Sequence, residues 1–297
     1  MLNNIMIANR LGEEVANYSK FIFPGGETQV KITPFKIFDN TTELVITSCM
    51  YSAQDIMETA LVLNALRHME NFMWVKLVIP YVPYARQDRV CSPGEAFSLE
   101  MIANFIVQMD YDELEVWDIH SGVFEKLLGS RGILADFKNV HAWDFVRNIK
   151  FTNIPIVVVP DKGALPRGTE CANGLNAAIL YGEKIRNTET GEITGTRILN
   201  PIFVDNNNVV ETTTLNSDLG DNDILIVDDI CDGGRTFIEL AKILRPLTTG
   251  KIMLYVTHGI FSKGQEVLFE AGIDEIYTAH LFPNTKNVSN VNIVERN

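Results

Sequence analysis

The stretch Ile224-Leu-Ile-Val-Asp-Asp-Ile-Cys-Asp-Gly-Gly-Arg-Thr236 decides the reading of the chain. Residues 224–227 form a continuous apolar run of the length of a buried strand. The run ends on two carboxylates, Asp228 and Asp229, and a turn of Asp232, Gly233 and Gly234 follows. After Arg235 and Thr236, apolar residues recur at helical spacing: Phe237, Leu240, Ala241 and Leu244. Strand, glycine turn and helix start together suit an anion, because backbone N–H groups point outward and the helix dipole favours negative charge. Two adjacent carboxylates at the strand tip suit the vicinal hydroxyls of a ribose, each of which is a donor. The stretch therefore points to a ribose carrying a phosphate. An ordinary strand–turn–helix corner with acidic residues at its solvent end has the same pattern, so other stretches must decide.

Working outward, short apolar runs of strand length occur at residues 156–159, 178–181, 252–256 and 275–278. The first half has its own set at 5–8, 44–47, 75–79 and 114–117. Helical spacing lies between them, in Ile56, Ala60, Leu63 and Leu66 and again in Phe97, Met101, Ile102, Phe105 and Ile106. Strands alternating with helices predict α/β domains, each a mostly parallel sheet flanked by helices. Two such domains in tandem are expected, over residues 1–146 and 147–297, joined near 145–151. Residues 187–223 break the pattern with Thr, Asn, Asp and Gly around one apolar island at 198–204. They read as a loop leading into a hairpin, with a disordered insertion as the alternative.

Composition narrows the function classes. A chain of 297 residues with 46% hydrophobic and 21% charged residues is an ordinary globular sequence of one large or two medium domains. Its net charge of −13 argues against nucleic-acid binding, which needs a basic face. The N-terminal residues lack the pattern of a signal peptide, and no apolar stretch reaches the ~18 residues that span a bilayer. Cys49, Cys91, Cys171 and Cys231 are widely spaced and lack a C-x-x-C pair. They fit reduced thiols of a cytoplasmic protein better than a disulfide frame or a zinc site, with Cys231 a small packing residue.

Further motifs sit at strand ends. Pro80-Tyr-Val-Pro-Tyr-Ala-Arg-Gln-Asp-Arg89 leaves one strand and releases Arg86, Gln87, Asp88 and Arg89 together into a loop. Arginine there offers a planar fork for phosphate or for stacking on a base. By itself the segment also reads as a solvated polar loop. It closely resembles, however, the Tyr-x-x-Tyr-Ala-Arg-Gln-Asp signature of ribose-phosphate pyrophosphokinases, and the opening stretch resembles the acceptor loop of that family and of type I phosphoribosyltransferases. Four more places match in family order: Phe23-Pro-Gly-Gly-Glu27, Asp118-Ile-His120, Pro160-Asp161-Lys-Gly and Lys184-Ile-Arg186. Read singly, His120 is also a surface histidine, and Lys184 and Arg186 are solvated strand-end charges. Together the matches cover nearly the whole chain.

The resemblance implies two phosphoribosyltransferase-like domains and diphosphoryl transfer from Mg²⁺-bound ATP to a ribosyl phosphate. It implies that Phe23, Glu27, Arg86, Gln87, Asp88 and His120 serve ATP, the Arg-Gln-Asp loop commonly reaching nucleotide on a neighbouring subunit. His120 and Asp161 would hold Mg²⁺, and Lys184 and Arg186 would be catalytic. Asp228, Asp229, Asp232, Gly233, Gly234, Arg235 and Thr236 would bind the acceptor. A homo-oligomer is the implied assembly.

Departures from the family pattern are local. Gly25 replaces an aspartate, the basic loop after Arg89 is abbreviated, and Asp232-Gly-Gly-Arg-Thr236 stands for Asp-Thr-x-Gly-Thr. The interval from Lys184 to Asp228 is longer than usual, and the strand-like 291–295 stands where the family continues into a helix. Ribose 5-phosphate is the acceptor by resemblance. A larger ribosyl phosphate such as ADP-ribose is the alternative, because Gly233 opens space and Arg235 adds a cation. The rival classes are a non-catalytic regulatory paralogue, which has no need of Lys184, Arg186, His120 and Asp161, and a phosphoribosyltransferase, which leaves Arg86–Asp88 and His120 unexplained.

Overall fold

The computed structural model describes residues 4–35, 42–69, 72–130, 132, 136–186, 193–203, 209–214, 218–283, 285 and 290–296. At residues 42, 72–73, 184–186, 193–196, 200–203 and 209–214 it describes the backbone alone. The chain forms two compact units, Met1–Val140 and His141–Asn297.

The first unit is a seven-stranded sheet. Its elements are β1 (Ile5–Asn9), β2 (Glu14–Ile22), β3 (Thr28–Pro34), β4 (Thr42–Ser48), α1 (Ala53–Arg67), β5 (Phe72–Ile79), α2 (Ser98–Val107), β6 (Glu113–Trp117), α3 (Val123–Gly129) and β7 (Phe137–Val140). The strand order is β3-β2-β1-β4-β5-β6-β7, parallel from β4 to β7 and antiparallel through β1, β2 and β3. The helical stripe read in the sequence becomes α1, whose Val62, Leu63 and Leu66 bury against Leu44, Ile46 and Leu77 of the sheet. Ser52 caps α1 by accepting from the Asp55 amide, which meets one of the helix's unpaired N–H groups. Glu58, buried in α1, accepts from Tyr18 Oη at 2.6 Å and Lys20 Nζ at 2.9 Å, pinning the β2–β3 hairpin to the helix.

The second unit is an eight-stranded sheet of order β11-β10-β9-β8-β12-β13-β14-β15. After α4 (Ala142–Val146) come β8 (Ile156–Val159), α5 (Leu165–Leu175), β9 (Ile179–Arg186), β10 (Ile193–Phe203), β11 (Val209–Thr214), β12 (Ile224–Cys231), α6 (Arg235–Leu244), β13 (Ile252–Gly259), α7 (Glu266–Glu270), β14 (Glu275–Leu281) and β15 (Val291–Ile293). Strands β9 to β11 pair antiparallel and the rest pair parallel. Ile224, Ile226, Ile252, Leu254 and Val256 are sealed from solvent beneath Phe237, Leu240 and Leu244 of α6, as expected for central parallel strands buried on both faces.

Much of the 187–223 interval is sheet: β10 and β11 extend β9 outward as an antiparallel ribbon, so the hairpin reading holds where the residues are described. The loop expected at its start, residues 187–192, lies outside the described residues. Among the described residues, no helix is long and apolar enough to cross a membrane.

Candidate active site

In the second sheet the chain winds from β8 to β9 on one side and from β12 to β13 and β14 on the other. The winding reverses between β8 and β12, and open α/β sheets bind ligands in the crevice outside the carboxyl ends of the strands at such a switch point. The parallel register Ile224↔Ile156 and Ile226↔Val158 carries Asp161 and the Asp228–Asp229 pair to neighbouring strand tips on the same edge. Asp161 has an extended backbone and caps a single 3-10 turn, its Oδ1 accepting from the amides of Gly163 at 2.9 Å and Ala164 at 3.4 Å.

A residue outside every motif completes this tip. Arg167, on α5, places Nη1 3.5 Å from Asp228 Oδ1 and 3.7 Å from Asp229 Oδ1. The Asp229 amide donates to Asp228 Oδ1 at 2.9 Å. Burial and the neighbouring Asp229 charge push the Asp228 carboxyl well above its ordinary range, and the Arg167 guanidinium pulls the other way. Helix α5 sits close enough to do this because residue 168 is glycine: a Cβ there would lie 2.1 Å from Val159 Cγ1.

The turn after β12 is built as expected. Gly234 caps α6 in the left-handed region at φ 75°, which glycine adopts without steric cost. The loop after β13 is stitched to the turn: Ile260 and Phe261 amides donate to the Cys231 carbonyl, and Ser262 donates from its amide and its hydroxyl to Asp232 at 3.1 and 2.6 Å. The Lys263 stem runs beside Gly233, with Cε 3.6 Å from where a Cβ would stand. The Arg235 guanidinium is exposed and bonded to Glu239 one helical turn on, at 2.8 Å, on the outer face of α6. Thr236 lies in the first turn of α6. Cys231 is buried and its thiol pushed up by desolvation, in keeping with a packing residue. Lys184 and Arg186 stand on β9, backbone-paired with Thr196 and Ile193 of β10, and their side chains lie outside what is described.

The first unit gathers its motifs on the same kind of edge. β5 and β6 are parallel neighbours in the register Ile79↔Val116, so Arg86, Gln87 and Asp88 leave one tip and Asp118, Ile119 and His120 the next. Both exits carry a non-glycine residue in the left-handed region, Tyr84 at φ 61° and Asp118 at φ 41°. Such backbone persists only where surroundings enforce it. Here the Asp118 amide donates to the Val140 carbonyl at 2.7 Å and the Gln87 amide to the Tyr84 carbonyl at 2.9 Å. Ser121 Oγ donates to Asp88 Oδ2 at 2.7 Å, bringing the two loops together. Arg86, Gln87 and His120 are exposed.

Phe23 and Glu27 are not brought to that place. They bracket the tip of the β2–β3 hairpin, where the Phe23 amide donates to the Glu27 carbonyl and the Phe21 and Phe23 rings meet edge to face at 5.0 Å. Strands β1 and β4 intervene between β2 and β5, so the strand axes leading to the two places stand three spacings of about 4.8 Å apart. Among the described residues no three His, Cys, Asp or Glu side chains converge as a ready ligand set for a metal.

Fold and strand-tip chemistry together define a phosphoribosyltransferase-type switch-point site in the second of two α/β units. Residues 4–109 match the model of the N-terminal domain of ribose phosphate pyrophosphokinase, and residues 139–277 match the phosphoribosyl transferase domain. The ribose-phosphate pyrophosphokinase of Pyrococcus abyssi is 32% identical over 298 residues, covering 97% of this chain and 93% of its own. That of Pyrococcus furiosus is 30% identical over 282 residues, covering 92% and 88%. The crystal structure of phosphoribosylpyrophosphate synthetase from Mycobacterium smegmatis superposes with a TM-score of 0.68 at 17% identity, over 95% of this chain and 87% of that one, a likeness of fold. The chain belongs to the ribose-phosphate pyrophosphokinase family.

Proposed function

We propose that the protein transfers the β,γ-diphosphate of Mg²⁺-bound ATP to the anomeric hydroxyl of ribose 5-phosphate, giving phosphoribosyl diphosphate and AMP. The observation that carries this is the β8/β12 switch point, where Asp161, the Asp228–Asp229 pair and the glycine turn share one edge in a chain of this family. Asp228 and Asp229 accept the two ribose hydroxyls, and the amides of the 232–236 turn take the 5-phosphate, with Asp232 held in place by Ser262. Arg86, Gln87, Asp88 and His120 serve the nucleotide from the β5 and β6 exits. Lys184 and Arg186 neutralise charge that grows on the transferred group and on the departing AMP. Positioning and charge stabilisation account for most of such a transfer.

The donors present fit magnesium. Asp161 offers a carboxylate oxygen at the strand tip, and Mg²⁺ needs only one or two carboxylates alongside substrate phosphates and water. Asp161 in the second unit and His120 in the first are each proposed as a magnesium ligand, and the ion would supply charge neutralisation on the triphosphate. Arg235, paired with Glu239, contributes least among the residues proposed for the acceptor.

A homo-oligomer is part of this reading. Strands β1 and β4 lie between the strand that leads to Phe23 and the strand that leads to Arg86 and Gln87, an arrangement that suits a second copy bringing its Arg-Gln-Asp loop to the nucleotide. The four free cysteines, Cys91 among them exposed, support a reducing, cytoplasmic location. The comparisons lend nothing to a larger acceptor or to a non-catalytic paralogue.

The test is AMP release from ATP and Mg²⁺ with ribose 5-phosphate, run beside ADP-ribose at equal concentration. Ribose 5-phosphate should be the efficient acceptor. No AMP with ribose 5-phosphate overturns the reading, and an active monomer by sedimentation overturns the oligomer.

A further inference from the structure

Arg167 enters the acceptor crevice from α5, six residues beyond the strand tip that bears Asp161, and its side chain is only 11% exposed. Its guanidinium stands between two carboxylates at 3.5 and 3.7 Å. A charge-assisted N–H···O bond is normally about 2.7–2.9 Å, and an arginine that clamps a carboxylate does so in a two-pronged fork. Toward Asp228 and Asp229 the Arg167 Nη1 stands beyond that distance, so its positive charge bears on both carboxylates at once. The helix cannot drift from this position, because Gly168 lies against Val159 without room for a methyl group and Leu165 is buried in the same cluster.

We propose that Arg167 is a positioning residue for the acceptor: it holds the Asp228 and Asp229 carboxylates side by side as a twin acceptor for the vicinal hydroxyls of the ribosyl phosphate. Adjacent carboxylates at a desolvated strand tip repel each other and favour sharing a proton, and a protonated carboxyl offers a donor where the ribose needs an acceptor. Among the described residues, the charges acting on Asp228 are Asp229 on its own strand, which adds to the repulsion, and Arg167 on α5, which offsets it. The inference rests on the acceptor being a ribosyl phosphate.

The experiment measures equilibrium binding by titration calorimetry on the full chain, with ribose 5-phosphate and, separately, with a non-hydrolysable ATP analogue and Mg²⁺. Arg167→Gln should weaken ribose 5-phosphate binding by roughly tenfold or more, as expected for loss of a charged partner. Binding of the ATP analogue should stay within about twofold, and Arg167→Lys should recover most of the loss because it keeps the charge. Circular dichroism checks folding, and Arg167→Met, which keeps the apolar stem, replaces the Gln variant under the same criteria if that variant does not fold. Unchanged ribose 5-phosphate binding in the neutral variant overturns the role of Arg167 alone. So does an equal loss for both ligands, or a Lys variant as weak as the neutral one, since either marks packing in place of charge. A wild-type chain that binds the ATP analogue but not ribose 5-phosphate overturns the acceptor reading and the role of Arg167 with it.

Discussion

Ser121 and Asp88 are joined by a hydrogen bond of 2.7 Å, from hydroxyl to carboxylate, across the exits of two neighbouring parallel strands. The bond links the Arg86-Gln87-Asp88 loop to the loop that carries His120. Neither loop alone fixes the distance between the Arg86 guanidinium and the His120 imidazole, both proposed to serve the nucleotide, and this bond constrains it.

Ser121→Ala should therefore raise the KM for ATP, by roughly threefold to tenfold, as for one hydrogen bond to a charged group in a half-exposed place. The KM for the acceptor should stay the same. Steady-state kinetics with each substrate varied in turn decides it, and an unchanged KM for ATP would show that the loops hold their spacing without the bond.

Lys184→Ala and Arg186→Ala should each lower turnover by about a hundredfold or more while ATP affinity changes little, because a donor aimed at transition-state charge affects rate more than ground-state binding. Single-turnover kinetics at saturating substrates supply the comparison. Near-normal turnover in both variants would remove them from the catalytic machinery.

Acid should destabilise the second unit through His280. This histidine is buried on β14 with its ring 5.7 Å from that of His258 on β13. Desolvation, with a smaller contribution from His258, pushes its pKa from the ordinary 6.5 down to about 3. Between those two values the unfolded chain binds a proton that the folded chain refuses. The stabilising contribution is thus complete above pH 6.5 and declines as the pH falls toward about 3. Melting temperatures of His280→Asn should fall less steeply on acidification than those of the wild type, and parallel slopes would count against the assignment.

Gly168→Ala should cost about 1–3 kcal/mol of stability, the usual range for overpacking, since the new methyl group meets Val159 Cγ1 at 2.1 Å. Thermal unfolding measures the loss. The same substitution should weaken ribose 5-phosphate binding more than ATP binding, because pushing α5 outward moves Arg167 from the carboxylates.

The central strands were legible because burial on both faces leaves an unbroken apolar run: residues 156–159 read as a strand and are β8 to the residue. Strands β2 and β3 were not, since the hairpin exposes Phe21, Ile22 and Phe23 and buries Tyr18 beside Glu58, so neither face gives a clean alternation. β10 and β11 were read as a loop and hairpin because Thr, Asn, Asp and Gly surround the apolar island of the 187–223 interval, yet antiparallel pairing of β10 onto β9 and of β11 onto β10 satisfies their backbone. Site motifs were legible where their residues are contiguous, as in 86–88 or 228–236. Arg167 gave no such signal: its nearer partner in sequence, Asp228, is 61 residues away, and only the packing of α5 on β8 brings them together. Ser121 and Ser262 escaped notice for the same reason, each meeting its aspartate across a strand pairing.

The ribbon beyond β9 bears on which parts of the chain can change length. Strand β8 supports β9 only as far as Tyr181, paired with Val159. Past that point Lys184 and Arg186 have β10 as their backbone partner among the described residues. The long interval between Lys184 and Asp228, which in sequence resembles an expendable insertion, supplies the ladder on which the proposed catalytic pair is mounted. Residues can be added or lost at the edge strand β11 more readily than further in, since an edge grows or shrinks without shifting the strands inside it. Excising β10 itself would unmoor Lys184 and Arg186 and also strip Ile198 and Leu199 from the core they share with β8, β9 and α6, so the inner strand of the ribbon is not expendable.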